Sequence, residues 1–265
     1  MFDIFLICFI FGAFSGVLAG LFGIGGGVVL VPFFVALFSL YKIGGEHIML
    51  IAVASSLATI VITSLVASWA HYRLGALLKL PVIHLSVGMG LGVALGAMAV
   101  DKFAVNYLQL IFGIYLLLVA LQMATQYKPK QGTHHLNNSR LKVAGSFIGF
   151  VSAFLGIGGG TLTVPYLAKH NIKMKNAVAI SSACGFPIAL IGSISYMSLG
   201  WNALDLPEGS IGYVYLPAFF GVVLSSVFAA PLGAKLAQQL PAQVLKRYFS
   251  VLLFIIALKM LWVSF

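Results

Sequence analysis

Apolar runs long enough to cross a lipid bilayer account for most of the chain. A helix needs about 20 apolar residues to traverse the hydrocarbon. Stretches 4–22, 48–70, 80–100, 103–124, 176–199, 211–234 and 243–264 meet that length. Three others, 28–40, 143–155 and 161–168, are too short to stand alone. At ~1.5 Å per residue they reach only part of the way through a ~30 Å core. Each abuts a glycine cluster. The long polar interval 126–142, QYKPKQGTHHLNNSRLK, reads as a cytoplasmic linker between a membrane repeat over 1–125 and a second over 143–265, which together form one transport domain. The expected fold class is an all-α polytopic integral membrane protein.

Composition agrees. Of 265 residues, 61% are apolar and 8% charged, with mean hydropathy +1.09. A soluble domain carries about 25% charged residues. The net charge of +10 is no nucleic-acid signal, because the basic residues sit between apolar runs instead of along one face. Cys8 and Cys184 both fall inside apolar runs, so no disulfide framework is implied. Asp3 stands where a cleavable leader would want positive charge, so the amino end is expected to be the first membrane segment.

The two halves resemble each other. Residues 20–34, GLFGIGGGVVLVPFF, align without gaps on 153–167, AFLGIGGGTLTVPYL, with seven of fifteen positions identical. Ser55-Ser56 corresponds to Ser181-Ser182, and 105–123 aligns on 242–260. In that last alignment Leu108, Phe112, Leu116 and Ala120 recur every four residues, which places them on one helix face. Internal duplication of this kind is typical of transporters.

Charge gives the relation between the copies. Arg73 and Lys79 mark the 71–79 loop, whereas the corresponding 200–210 loop carries Asp205 and Glu208. Lys42 and Glu46 balance in 41–47, whereas its counterpart carries Lys169, Lys173 and Lys175. Asp101 and Lys102 balance in 101–104, against Lys235, Lys246 and Arg247. Lys/Arg-rich loops favour the cytoplasm, so the copies are expected to be inverted repeats of about five helical segments each, with both termini outside. Each pair of segments around a GIGGG cluster must then make an even number of crossings, as a broken or re-entrant hairpin or as two short tilted helices. The alternative merges each pair into one crossing and gives eight spans in a 4+4 arrangement.

The clusters Gly23, Gly25, Gly26, Gly27 and Gly156, Gly158, Gly159, Gly160 are the sharpest features. In lipid every backbone N–H needs a partner, so such stretches are tolerated only when buried or lining a cavity. Successive N–H groups at a helix start form a donor array for an anion. Pro32 and Pro165, five residues past each cluster, suit a structural helix break. Ser55, Ser56, Ser181 and Ser182 add hydroxyl donors to the same candidate substrate site. Gly88, Gly92 and Gly96, spaced by four, read instead as close helix packing. His71 and His84 bracket the basic loop; His84, four residues into a span, is the candidate proton relay. His134-His135 lacks neighbouring cysteines or acids, so no metal site and no cofactor are expected. No nucleophile–base–acid set recurs at a common depth, which argues against an enzyme.

The doubled GLFGIGGG…VP signature, the serine pair in each half and the chain length resemble the sulfite exporter TauE/SafE family. The resemblance covers essentially the whole chain. It implies a cytoplasmic-membrane permease that exports small sulfur-containing anions such as sulfite, sulfoacetate or other sulfonates. Alternating access and proton coupling are the expected mechanism. The expected partners are the anion and the lipid bilayer, with no nucleic acid; oligomeric state is open, a homodimer being one option. The alternatives are a carrier of a non-sulfur organic anion and a membrane-embedded assembly or interaction factor that works through the linker.

Overall fold

The computed structural model describes residues 2–23, 25–100, 105–125, 137–239 and 242–263. Ile24, the 101–104 turn and most of the linker, 126–136 with His134-His135, lie outside the described residues. The chain is almost entirely helical. In the first half α1 (Phe2–Phe22), α2 (Gly27–Leu40), α3 (Ile48–Arg73), α4 (Lys79–Val100) and α5 (Val105–Ala124) follow in order. In the second, α6 (Asn138–Leu155), α7 (Gly160–Lys169), α8 (Met174–Leu199), α9 (Leu216–Gln239) and α10 (Ala242–Val263) repeat the pattern. Among the described residues, six helical segments are long and apolar enough to cross a membrane: Phe2–Phe22, Gly45–Arg73, Lys79–Val100, Tyr107–Ala124, Met174–Leu199 and Leu216–Gln239.

Two boundaries differ from the hydropathy pattern. The last part of the polar interval is helical, because Asn137 caps α6 by accepting a hydrogen bond from the Ser139 N–H at 3.3 Å. The apolar run from 211 starts as a hairpin of β1 (Ser210–Ile211) and β2 (Val214–Tyr215), and α9 begins only at Leu216. Gly212, at φ +53°, makes that turn.

α3 and α8 pack together at the centre, and the remaining helices pair around them: α1 with α9, α4 with α6, and α5 with α10. Exchanging the halves leaves this pattern unchanged, since α1 and α6 change places together with α9 and α4. The equivalence extends to single residues. A Cβ on Gly12 would lie 2.6 Å from the Val222 backbone of α9, and one on Gly145 would lie 2.5 Å from the Leu85 carbonyl oxygen of α4. Gly88, Gly92 and Gly96 line the α4–α6 seam, against Lys142, Ser146 and Phe150 respectively. Small residues there let backbones approach within dispersion range, which is the main source of helix association where lipid removes the hydrophobic drive. Away from the seam, Val87, Leu91 and Leu95 of α4 and Leu224, Phe228 and Leu232 of α9 point outward. That apolar exterior suits lipid. Leu108, Phe112, Leu116 and Ala120 of α5 are all buried, together with Phe249, Leu253 and Ala257 of α10, as the spacing of four predicts.

Each glycine cluster turns the chain back on itself. The rings of Phe11 in α1 and Phe33 in α2 stack at 3.7 Å, and a Cβ on Gly26 would lie 3.2 Å from the Ser15 carbonyl oxygen. α2 therefore returns antiparallel along α1. In the second half Gly159 lies against Ser152 and Ile148 of α6, and Tyr166 shares a cavity with Val143 and Ala144 near the start of α6. These are hairpins, not single rods crossing the membrane once.

The seams should discriminate between neighbouring glycines. In Gly92→Ala the new methyl meets the Phe150 backbone N at 2.8 Å, whereas in Gly90→Ala it meets only the flexible end of Ile191. Thermal unfolding in detergent should show a loss of about 1–3 kcal/mol for Gly92→Ala. Gly90→Ala should stay within about 0.5 kcal/mol of the parent.

Candidate substrate site

The clusters meet each other halfway along the central helices. A Cβ on Gly25 or Gly27 would fall 2.8 or 2.7 Å from Ile60, and Ile60 is halfway along α3. One on Gly185, halfway along α8, would lie 3.5 Å from the Gly158 carbonyl. Gly27 has no room for any side chain, since its Cβ would sit 2.6 Å from the Gly156 carbonyl oxygen. The approach of the two turns thus depends on glycine at the point of contact.

Local conformation demands glycine a second time. Gly26 and Gly159 are the N-caps of α2 and α7, both left-handed, at φ +80° and +71°. An L side chain there costs about 1–2 kcal/mol. Neither cap offers a side-chain acceptor; the cap carbonyls take the Val29 and Leu162 N–H groups at 3.1 and 3.2 Å, so the first-turn N–H groups without a partner within their own helix are those of Gly27, Val28, Gly160 and Thr161. Pro32 and Pro165 each sit inside the following helix. Without a proline N–H, the carbonyls of Val28 and Thr161 lose their ordinary helical donors. The clusters therefore concentrate free backbone donors at the starts of two half-helices, with the positive dipole ends alongside.

Hydroxyls tie each turn to the other half. Ser56 of α3 donates to the Gly156 carbonyl at 2.8 Å, and Ser181 of α8 donates to the Gly23 carbonyl at 2.7 Å. Each half's long helix thus holds the first glycine of the opposite cluster. This pairing makes Ser56 the counterpart of Ser181, one residue off the alignment of the two serine pairs. Ile60 and Gly185 keep the same register against Gly25 and Gly158. Thr63 donates to the Gly25 carbonyl at 3.3 Å, and Thr163 to the Gly159 carbonyl at 2.8 Å. Tyr115 of α5 joins its hydroxyl to that of Thr161 in the first turn of α7.

The four predicted serines fall into three settings. Ser55 accepts the Tyr215 N–H at 2.9 Å, which anchors the β-hairpin, while Ser56 and Ser181 hold the clusters. Ser182 is buried, its Oγ has no hydrogen-bond partner among the described residues, and it lies 3.1 Å from where a Gly23 Cβ would be. Of the four serines it is the one whose hydroxyl is unpaired among the described residues. His84 sits within the second turn of α4 on a partly exposed face, its Nδ1 3.0 Å from the Leu80 carbonyl oxygen. Among the described residues no Lys, Arg, Asp or Glu is buried, and no group of three His, Cys, Asp or Glu could hold a metal ion. Sequence patterns do not single out Ile60, Tyr115 or Tyr196, nor rank His71 above His84, because what makes them matter is which turn of a helix faces the clusters.

The chain matches the family described as Sulfite exporter TauE/SafE over residues 8–260. It belongs to that family. It is 35% identical over 261 residues to a probable membrane transporter protein of Haemophilus influenzae, covering 98% of this chain and 99% of that one. A probable membrane transporter protein of Methanocaldococcus jannaschii is 28% identical, over 95% of this chain and 93% of its own length. The probable membrane transporter protein YunE of Bacillus subtilis is 24% identical, over 97% of each chain. No solved structure matches. This TauE/SafE protein is a multi-pass membrane transporter.

The division among the serines is measurable. Ser56→Ala and Ser181→Ala each strip a buried carbonyl of its donor and should cost about 1–3 kcal/mol in thermal unfolding. Ser182→Ala removes no protein hydrogen bond and should leave stability within about 0.5 kcal/mol.

Proposed function

We propose that this protein is a secondary transporter that exports a small sulfur-containing anion, such as sulfite, sulfoacetate or another sulfonate, coupled to the proton gradient. The observation that carries the reading is the meeting, at mid-height, of two uncapped half-helix starts with no buried cation beside them. Backbone N–H groups and positive dipole ends stabilise a small oxyanion without any basic side chain. Such a site holds the anion weakly enough to let it leave. The family gives the class of anion; the backbone donors respond to charge and shape, and a sulfite or sulfonate head group presents three oxygens to them.

Alternating access would come from two halves in inverted orientation. Two features support it: each GIGGG hairpin returns to the face it left, and α3, α4 and α5 then cross three times. α1 and α6 consequently start from opposite faces. With the Lys/Arg-rich loops inside, both termini lie outside the cytoplasmic membrane. In this arrangement α2 enters the site from one side and α7 from the other, and rocking one half against the other would open each in turn.

The test is flux of labelled sulfite and a simple sulfonate in proteoliposomes, with and without an imposed pH difference. The full-length chain should give saturable flux that the pH difference stimulates. Gly159→Val, which places a β-branched side chain at a left-handed cap, should abolish flux while the protein remains folded in the membrane. Ser182→Ala should weaken sulfite affinity by about tenfold. Undiminished flux in both variants would remove the glycine clusters from the transport path.

A further inference from the structure

His71 occupies a position that the second half fills differently. In α3 it lies fifteen residues beyond Ser56, and its Nε2 is 3.1 Å from the carbonyl oxygen of Gly20, one turn before the Gly23–Gly27 cluster. In α8, fifteen residues beyond Ser181, Tyr196 donates its hydroxyl to the Ala153 carbonyl at 2.9 Å, one turn before Gly156–Gly160. Both bonds fasten the end of a hairpin's first arm to the central helix of its own half. Tyrosine does this with its single polar atom. Histidine does it with one nitrogen and brings a second.

That second nitrogen has no evident structural use. A carbonyl oxygen can only accept, so Nε2 carries the hydrogen and neutral His71 has a bare lone pair at Nδ1. The side chain is 1% exposed, and Nδ1 is buried without a hydrogen-bond partner among the described residues. Among the described residues the charged groups at this end of the molecule are all basic: Arg73 on α3, Lys79 on α4, Arg140 and Lys142 on α6, Lys169 at the end of α7, Lys173 and Lys175 at the start of α8, Lys235 on α9 and Arg247 on α10. Arg73 is turned onto the Trp69 ring at 4.1 Å, while Lys235 and Arg247 are exposed. On α1 and α9, Gly20 faces Ala230, Gly233 and Ala234, which carry no titratable group. Asp3, Glu46, Asp205 and Glu208 lie at the opposite ends of their elements. Among the described residues none supplies the countercharge that an imidazolium would need, and a bound anion would.

We infer that His71, by taking and releasing a proton at Nδ1, is the residue that couples anion movement to the proton gradient. The proton comes from water and returns to it; Nε2 keeps its bond to Gly20, and no other bond changes. Protonation and anion occupancy of the neighbouring cluster then favour each other. The inference rests on the proton-coupled reading above and assigns the relay to His71 in place of His84.

The test compares the full-length chain with His71→Tyr, which copies the second half's solution, and with His84→Gln, in sulfite-loaded proteoliposomes. Two rates are read: net sulfite flux under an imposed pH difference, and sulfite–sulfite exchange at equal pH. His71→Tyr should keep its thermal stability and its exchange, and lose at least tenfold of the gradient stimulation. Should His71→Tyr fail to insert, His71→Gln, which retains an N–H for Gly20, is held to the same criterion. Full gradient stimulation in the His71 variant, or its loss in His84→Gln alone, would overturn the assignment. Absence of stimulation in the parent chain would instead overturn proton coupling itself, and the assignment with it; the two failures appear in different proteins.

Discussion

A chain that interrupts its helices inside a bilayer must find partners for the backbone groups it frees, because the hydrocarbon offers none. Here the carbonyls at the two interruptions are met by serines of the opposite half, Ser56 on Gly156 and Ser181 on Gly23. The rest follows from that exchange. Helices α3 and α8 have to lie side by side for their serines to reach across. The two turns are then held against one another, and only glycine fits at their contact. The N–H groups of Gly27, Val28, Gly160 and Thr161 at the starts of α2 and α7 are left as the unspent donors, and on the proposed reading these receive the anion.

Equivalence between the halves governs the scaffold, and departures from it mark the chemistry. The glycine seams, the lipid-facing stripes of α4 and α9, and the buried face shared by α5 and α10 recur in both copies. Among the described residues Tyr115 bound to Thr161, Ser55 bound to the β-hairpin, Ser182 with its unpaired hydroxyl and the His71–Tyr196 exchange do not recur. A purely structural duplication has little reason to diverge at buried polar positions, where a misplaced hydroxyl or imidazole costs about 1–3 kcal/mol.

Much of the architecture is legible in the sequence, since apolar length and glycine clustering are local signals. Loop charge favours an even number of crossings for each pair of segments around a glycine cluster, because the basic loops alternate between copies, and it leaves open whether the pair is a hairpin or two short tilted helices. The face formed by Leu108, Phe112, Leu116 and Ala120 is readable from its spacing alone. What hides is rotation. Aligning the two serine pairs letter by letter places Ser55 opposite Ser181, but one residue on a helix is a turn of about 100°, and the hydrogen bonds select Ser56. His71 and His84 look alike in sequence, each near the basic loop. Packing separates them, burying the first against Gly20 and leaving the second partly exposed. The β-hairpin over 210–215 hides as well, because Ile211 and Val214 extend the apolar run of the helix they precede.

Anion capture between the two half-helix starts is the claim on which the account depends. Selenite copies the shape and charge of sulfite and carries an anomalous scatterer, so a crystal structure of the protein with selenite locates the anion directly. The account predicts a selenium peak between the Gly23–Gly27 and Gly156–Gly160 turns, with its oxygens within hydrogen-bond reach of first-turn N–H groups of α2 or α7 and of Ser182 Oγ. A peak at the basic loops alone, with none at the turns, would contradict it.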